Sequence, residues 1–463
     1  MQPEFNAPRS VIGSLEDRSG PEIIARLEGL PFTRLHKRVI AIVGTAYLFD
    51  AADVAILTFV LAPISAEFHL NPIQAGTVAS TAFVGMAIGS IVAGWLSDRF
   101  GRRPIFTLSM LLWGLATLFT AFSWDYSSLL AGRFITGIGM AAELPCAMAL
   151  ASEYLPAKRR GPYLGSAQIL VILSFLISGG ITLLVGWRAA FMIMFVLSLF
   201  AFVVRRGIPE SVRWQVAHSD LDGARATLSR FESTVPADLI AQVPPQPPAA
   251  GTMVPASRGP VRDLFARQQR KLTLTAWSMW FFQLLAQYGI SIWIAKLLFD
   301  HGASITASIG ITMLMQVWGI PGALISSLLL ERLGRRPVYV ASAILAGAAA
   351  FWYGNASTAV IAIVAGSVLN FFLSAMTAGI NAYTPELFPT ASRATGTGTA
   401  SAAGRVSSVI GPLVVPVILV TWGYAATFLV LSLCFLIAAG VVLVLGRETR
   451  GKSLEAIAVD ASE

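Results

Sequence analysis

Apolar residues arrive along this chain in long uninterrupted blocks, neither alternating in polarity nor striping one side of a helix. Blocks long enough to cross ~30 Å of hydrocarbon fall at 39–62, 73–97, 104–123, 128–153, 164–185, 187–205, 272–298, 303–330, 337–354, 358–384, 395–420 and 423–446. A helix that is apolar on every side has no face for water, and lipid leaves every backbone group to be satisfied within its own segment. The pattern therefore predicts an all-α membrane protein with twelve transmembrane helices.

Composition sharpens this expectation. Of 463 residues, 55% are hydrophobic and 13% charged, with a mean hydropathy of +0.70; a soluble domain carries about 25% charge. Both cysteines, Cys146 and Cys434, fall inside apolar blocks, which excludes a disulfide framework and a CxxC metal site. No cofactor or metal is expected.

A formal charge of +8 points to nucleic acid only until the charges are placed. All but four of the 33 Lys and Arg lie in the N-terminal segment, in every second loop and in the C-terminal tail. That asymmetry predicts cytoplasmic termini and a lipid bilayer as partner, with no nucleic acid. The polar N-terminal residues, including Glu16, Asp17 and Glu22, argue that the first block is retained as a helix and not cleaved as a signal peptide. The expected setting is a bacterial inner (plasma) membrane, crossed many times by a monomer.

The division expected is a cytoplasmic segment 1–38, a six-helix half 39–206, a cytoplasmic linker 207–268, a second half 269–446 and a tail 447–463. The linker holds an amphipathic stretch, Leu221–Phe231, and a Pro-rich one, Val243–Pro260. The second reads as a spacer or as a partner-binding segment. The halves repeat each other: Asp98-Arg-Phe-Gly-Arg-Arg-Pro104 returns as Glu331-Arg-Leu-Gly-Arg-Arg-Pro337, and Glu153-Tyr-Leu-Pro156 returns as Glu386-Leu-Phe-Pro389, both at an offset of 233. Duplicated bundles with a site between repeats are the architecture of secondary transporters.

Gly94-Trp-Leu-Ser-Asp98-Arg99-Phe-Gly101-Arg102-Arg103 resembles the G-x-x-x-D-R-x-G-R-R loop of the major facilitator superfamily, and Arg133-Phe-Ile-Thr-Gly137-Ile-Gly139 resembles its fourth-helix motif. The second-half loop departs from the pattern, with Ser327 in place of Gly and Glu331 in place of Asp. The resemblance implies two six-helix halves that alternate access to a central site. It also implies a cytoplasmic gate formed by Asp98, Arg102, Arg103, Glu153 and Arg160 and by Glu331, Arg335, Arg336, Glu386 and Arg393. Pro209-Glu-Ser-Val-Arg-Trp214 resembles the end of helix 6 in sugar porters. Phe49-Asp50-Ala-Ala-Asp53 and Ala142-Glu143-Leu-Pro145 are similar to motifs of the niacin, aromatic-acid and synaptic-vesicle-protein-like branch.

Five ionisable residues lie deep in spans: Asp50, Asp53, Arg133, Glu143 and Arg405. Each would cost at least ~2.5–3.5 kcal/mol facing lipid, so each is expected to face a partner or a solute. Asp53 with Arg133, and Asp50 beside them, are assigned to proton coupling. Asp50, Glu143 and Arg405 are assigned to substrate binding, with Gln168, Gln283, Gln287, Tyr288 and Asn370 as neutral contacts. The competing readings are permanent ion pairs for the charges and interhelical hydrogen bonds, worth about 0.6 kcal/mol, for the amides. Arg188 and Lys296 lie near the other membrane face, where snorkelling accounts for them.

The resulting expectation is a proton-coupled importer of a small organic acid, such as the pyridine or aromatic carboxylate nicotinate. The alternatives are a sugar or polyol symporter, favoured by Pro209–Trp214 and Gln168, and efflux of small solutes. Arg405 separates them, because a neutral sugar needs no cation at the midplane, whereas a guanidinium forks onto a carboxylate. Trp280, Phe281, Phe371 and Phe372 are candidates to stack on a ring. His36, His69, His218 and His301 share no catalytic spacing, and no phosphate-binding loop occurs, so no enzyme is expected.

Overall fold

The computed structural model describes residues 20–141, 143, 157–235, 264–266, 269–300, 302–388 and 392–450, with side chains for all of these except 21, 28, 94, 98, 157–167, 393 and 394. Glu153, Cys146, the Pro-rich stretch 243–260 and the side chains of Asp98, Arg160 and Arg393 lie outside that description. The described helices are α1 (Gly20–Gly29), α2 (Arg34–Glu67), α3 (Pro72–Phe100), α4 (Arg102–Ala121), α5 (Tyr126–Met140), α6 (Ala157–Ser198), α7 (Ala201–Gly207), α8 (Val212–Ala217) and α9 (Leu221–Glu232). After the linker come α10 (Arg270–Asp300), α11 (Ile305–Val317), α12 (Gly319–Leu333), α13 (Arg335–Gly354), α14 (Ala359–Leu387) and α15 (Arg393–Leu445).

Among the described residues, nine helical stretches are long and apolar enough to cross a membrane. Ile91, Leu184 and Val444 stand 78%, 85% and 78% exposed, a cost water would impose and lipid does not. Helix starts are set by short polar caps. Thr33 with His36, Asn71 with Gln74 and Asp125 with Ser128 form reciprocal capping boxes, which satisfy backbone N–H groups that no turn can reach. Pro72 follows Asn71 at the first helical position, where its missing donor is not needed. Pro321 acts oppositely: without an N–H to give the Val317 carbonyl, it accompanies the break between α11 and α12.

Two of the nine stretches, Gln168–Gly207 and Thr395–Leu445, run 40 and 51 residues, or about 60 and 77 Å at 1.5 Å per residue. Each departs from helical geometry at one glycine, Gly186 (φ 76°) and Gly423 (φ 83°). Those glycines stand where the apolar blocks 164–185 and 187–205, and 395–420 and 423–446, meet.

Before the linker, α2 packs on α6, α3 on α5, and α4 on α5 and α6; after it, α10 packs on α15, α12 on α14, and α13 on α14 and α15. The first group closes through glycine notches. A Cβ on Gly137 would stand 1.9 Å from the Ala82 carbonyl oxygen, and one on Gly85 would stand 2.2 Å from that of Phe134, so α3 and α5 touch backbone to backbone. The groups meet each other where the Ser80 hydroxyl donates to the Val409 carbonyl at 2.8 Å and Phe83 packs on Tyr288 with centroids 4.9 Å apart. Both contacts lie in the middle of the bundle or toward the end remote from the linker.

At that remote end Arg188 does more than snorkel. Its guanidinium donates to Glu67 at 2.6 Å and to the Ala121 and Ser123 carbonyls, while Trp187 donates to the same carboxylate at 2.7 Å. Lys296 pairs with Asp300 at 2.7 Å. At the linker end a second core forms from α1, α9 and the start of α2. Ile23, Leu27, Leu228 and Phe231 are buried in it, Arg26 pairs with Glu232 at 3.0 Å, and the His36 ring packs 4.7 Å from Phe231. The amphipathic helix expected at 221–231 is thus present as α9, with an N-terminal helix beside it.

The notch between α3 and α5 makes a direct prediction. Gly137→Val inserts three carbons where one already overlaps backbone, an overpacking cost of about 1–3 kcal/mol or more. Gly180→Val, at a glycine with nothing within 4 Å, serves as the comparison. Thermal unfolding in detergent should drop by several degrees for the first and barely move for the second; equal midpoints would show that the notch is dispensable.

Candidate functional site

Side chains from four helices, α2, α4, α5 and α6, gather near the middle of the bundle. On α2, Asp50 and Asp53 are one turn apart and share a face; they are 6% and 0% exposed. Arg133 of α5, itself 1% exposed, donates from one terminal nitrogen to Asp53 Oδ2 at 3.2 Å. The Thr117 hydroxyl of α4 donates to Asp53 Oδ1 at 3.4 Å. The Phe191 ring of α6 lies 5.6 Å beneath the guanidinium. Asp53 therefore has an ion-pair partner and a hydroxyl donor, and Arg133 has an ion-pair partner and a π face. Among the described residues its Nε hydrogen has no acceptor.

Asp50 and Glu143 are less provided for. Among the described residues, Asp50 Oδ1 and both Glu143 carboxyl oxygens are buried without a hydrogen-bond partner, and Glu143 is only 1% exposed. Glu143 lies within electrostatic range of Asp50 and Asp53. Arg405 of α15 lies within range of Asp50 and of Tyr288 of α10. Arg405 is half-buried, and no carboxylate stands within ion-pair distance of it among the described residues. Gln287 is half-buried beside Tyr288, its amide oxygen without a partner among the described residues. Burying polar atoms without partners costs free energy, so this cluster is a place where a solute can supply what the protein does not.

The other neutral candidates separate. Gln283 is fully buried, and both ends of its amide are in use: it donates to the Thr377 hydroxyl at 3.2 Å and accepts from the Tyr339 hydroxyl at 3.2 Å. Asn370 is 6% exposed and donates to the Gly366 carbonyl at 2.9 Å. Gln168 is half-buried. Trp280 donates to the Thr384 hydroxyl at 2.9 Å, Phe281 packs edge-on to Phe282, and Phe371 packs edge-on to Phe372.

At the linker end the two duplicated loops fold alike. Gly101 (φ +97°) and Gly334 (φ +107°) turn the chain between α3 and α4 and between α12 and α13. One glutamate receives the next helix start in each case. The Arg102 and Arg103 backbone N–H groups donate to Glu210, and those of Arg335 and Arg336 donate to Glu448. Carboxylates suit helix N-termini because the first N–H groups have no intrahelical acceptor. A Cβ on either glycine would strike that carboxylate, at 2.6 and 2.5 Å, and the positive φ disfavours any other residue.

Side chains of the expected gate divide between roles. Arg335 pairs with Glu331 and Glu386, each at 3.0 Å, which joins three of the predicted residues. Arg336 donates to the Leu443 carbonyl, Arg103 to that of Arg205, and Arg102 to the Ser211 hydroxyl at 3.0 Å. Thr117, Phe191, Glu210 and Glu448 were not singled out by sequence. Thr117 and Phe191 carry no signal within an apolar block, whereas the acidic residue of Pro209-Glu-Ser was visible inside a motif.

A family model described as "Sugar (and other) transporter" matches residues 39–461, and the chain belongs to that family of the major facilitator superfamily. It is 32% identical over 441 residues to the niacin transporter NiaP of Acinetobacter baylyi, across 94% of this chain and 99% of that protein. It is 28% identical over 424 residues to the putative niacin/nicotinamide transporter NiaP of Bacillus subtilis, across 90% and 98%. Its fold is similar to the xylose transporter XylE from Escherichia coli in a partially occluded inward-open conformation, with a TM-score of 0.73 at 16% identity over 90% of this chain and 99% of that one. These proteins are transporters, and this chain is a membrane transporter and not an enzyme.

The Asp53–Arg133 geometry can be tested through stability. Arg133→Leu leaves a buried carboxylate without its counter-charge, at a cost of about 3–5 kcal/mol, whereas replacing both partners is close to neutral. Arg133→Leu should therefore unfold in detergent at a lower temperature than the double variant Asp53→Asn/Arg133→Leu. A double variant no more stable than the single one would mean that the pair is not coupled.

Proposed function

We propose that this transporter is a proton-coupled symporter that imports a small organic acid, of the pyridine or aromatic carboxylate class that includes nicotinate, by alternating access. The observation that carries the reading is Arg405, a half-buried cation in the middle of a membrane bundle, with Asp50 and Tyr288 in electrostatic range and no carboxylate paired to it among the described residues. Such a guanidinium needs an anion, and its planar fork matches a carboxylate. The likeness to proteins named as niacin transporters supports the same class.

The topology proposed is twelve spans in two six-helix halves, 39–206 and 269–446, joined by the linker 207–268, with the segment 1–38, the tail 447–463 and both termini in the cytoplasm of a bacterium. Its supports are the turns at Gly186 and Gly423, which divide two overlong helices, and the basic residues gathered at the linker end. The expected assembly is a monomer.

Proton coupling is assigned to Asp53 and Arg133, with Asp50 beside them. Moving Arg133 away from Asp53 leaves an uncompensated charge in a site closed to water, and a proton on the carboxylate removes it. The cytoplasmic gate is assigned to Arg102 and Arg103 with Asp98, Glu153 and Arg160, and to Arg335 and Arg336 with Glu331, Glu386 and Arg393. Ser80 with Val409 and Phe83 with Tyr288 support reading the present state as closed at the remote end. Substrate contacts are assigned to Arg405, Asp50, Glu143, Gln287 and Tyr288, with Gln168, Gln283 and Asn370 at the margin; Gln283 also bonds Thr377 and Tyr339 within the bundle.

A sugar or polyol symporter is the second reading, favoured by the Pro209–Trp214 ending and by the likeness in fold to a xylose transporter. Competition separates the two. Nicotinate should block uptake of labelled nicotinate by proteoliposomes at least about tenfold better than nicotinamide, which keeps the shape and loses the charge, and Arg405→Gln should erase that preference. Equal inhibition by acid and amide, or inhibition by xylose alone, would reject the organic-acid reading.

A further inference from the structure

The linker end carries charge that neither the gate nor the solute site uses. Arg34, Lys37 and Arg38 open α2, Arg205 and Arg206 close α7, and all five are exposed. Contacts between the helices bring them to one place. α2 and α7 meet at Gly207, where a Cβ would stand 2.3 Å from Ile42 Cδ1 and 4.0 Å from Arg38 Nε. Arg34, Arg38 and Ile42 are spaced by four, so they share that face of α2. From the other side Arg103 of α4 donates to the Arg205 carbonyl, which brings a sixth cation to the cluster. Among the described residues no Asp or Glu pairs with any of the five, whereas Arg26, Arg225 and Arg335 at the same end each hold a carboxylate. Like charges one turn apart repel. The first turn of α2 holds no acid, and the positive end of its helix dipole makes it a poor place for cations. Membrane topology requires basic residues on one side but does not require them to be gathered.

Depth identifies the anion that belongs there. Arg34, Lys37 and Arg38 immediately precede the apolar block 39–62, and Arg205 ends the block 187–205, so the cluster stands at the boundary of the hydrocarbon. One turn deeper on α7, Phe202 is 53% and Val203 44% exposed. They precede the two arginines by three or four residues and lie on the same face. We propose that the linker ends of α2 and α7 form a binding site for a lipid with an anionic phosphodiester headgroup. Arg38, Arg205 and Arg206 take the phosphate, Phe202 and Val203 lie along an acyl chain, and Arg34 and Lys37 complete the positive rim. Basic pockets between helices suit such headgroups, and a guanidinium fork can hold two phosphate oxygens at once. A free phosphate would leave the apolar strip without an occupant. The site also borders the transport path, because Phe200, where α7 begins, packs edge-on to Phe49 with centroids 5.5 Å apart, and Phe49 is next to Asp50. The inference holds whichever solute is carried.

The test uses purified full-length protein in detergent, titrated with dioleoylphosphatidylglycerol or with zwitterionic dioleoylphosphatidylcholine, and counts bound lipids by native mass spectrometry. Near a membrane surface each cation contributes about fivefold in affinity for anionic lipid. The unaltered protein should therefore bind its first phosphatidylglycerol at least about tenfold more tightly than phosphatidylcholine. The triple variant Arg38→Gln/Arg205→Gln/Arg206→Gln should bring that preference to within about twofold, and lysine at the same three positions should keep most of it. Arg230→Gln/Arg270→Gln/Lys271→Gln removes three exposed cations elsewhere at the linker end and should leave the preference unchanged. Millimolar inorganic phosphate should not displace the lipid; displacement would make this a site for free phosphate and overturn the proposal. An equal loss in both glutamine triples, the mark of net charge alone, would also overturn it, as would the absence of any preference in the unaltered protein. That last comparison decides even where a variant does not fold.

Discussion

A carboxylate and a guanidinium held 3.2 Å apart, each almost wholly shut off from solvent, constrain the first group of helices more than any apolar contact does. Asp53 belongs to α2, Arg133 to α5, Thr117 to α4 and Phe191 to α6, so one ion pair ties four helices at a fixed depth. Lipid gives a stray charge no refuge, which makes separation of this pair costly unless another charge or a proton takes its place. The glycine notches at Gly85 and Gly137 bring α3 against α5, the helix that carries Arg133. The Arg188–Glu67–Trp187 cluster fixes α2 to α6 at the remote end.

The linker end follows a different logic. Two glycines in positive φ deliver two helix starts to two glutamates, Glu210 and Glu448, each contributed by a segment more than a hundred residues away. The internal sequence repeat is therefore repeated as chemistry. These links join a helix start to the end of its own group and do not join one group to the other. In the proposed cycle they keep each half stiff while the halves rock, leaving Arg335, Glu331 and Glu386 as the exchangeable pairs.

Much of this was legible because lipid permits so few solutions. Apolar blocks had to be helices, and most of their predicted ends that fall on described residues lie within a few residues of the observed ones, even at Gly186 and Gly423, where the chain turns without leaving helical structure for long; the end of the block 128–153 lies outside the described residues, and the block 303–330 is divided between α11 and α12. Asp53 and Arg133 could be matched by depth alone, since few charges lay inside the spans. Thr117 and Phe191 could not be found, because a threonine and a phenylalanine in an apolar block carry no mark of the partner they will meet. Gln283 shows the same limit: a sequence shows an amide but not the Thr377 and Tyr339 hydroxyls that it bonds. Helix α1 escaped notice because its few apolar residues gain a core only when α9, some two hundred positions on, packs against them.

The central claim is that solute movement and the opening of the Asp53–Arg133 pair are one event, linked by a proton. The most direct measurement places a pH-sensitive dye inside proteoliposomes, with no imposed pH gradient and the membrane voltage clamped, and adds nicotinate outside. The account predicts that nicotinate entry acidifies the lumen in the unaltered protein. It also predicts that Asp53→Asn still exchanges labelled nicotinate but produces no acidification. Nicotinate entry without proton entry, or undiminished proton entry in Asp53→Asn, would contradict it.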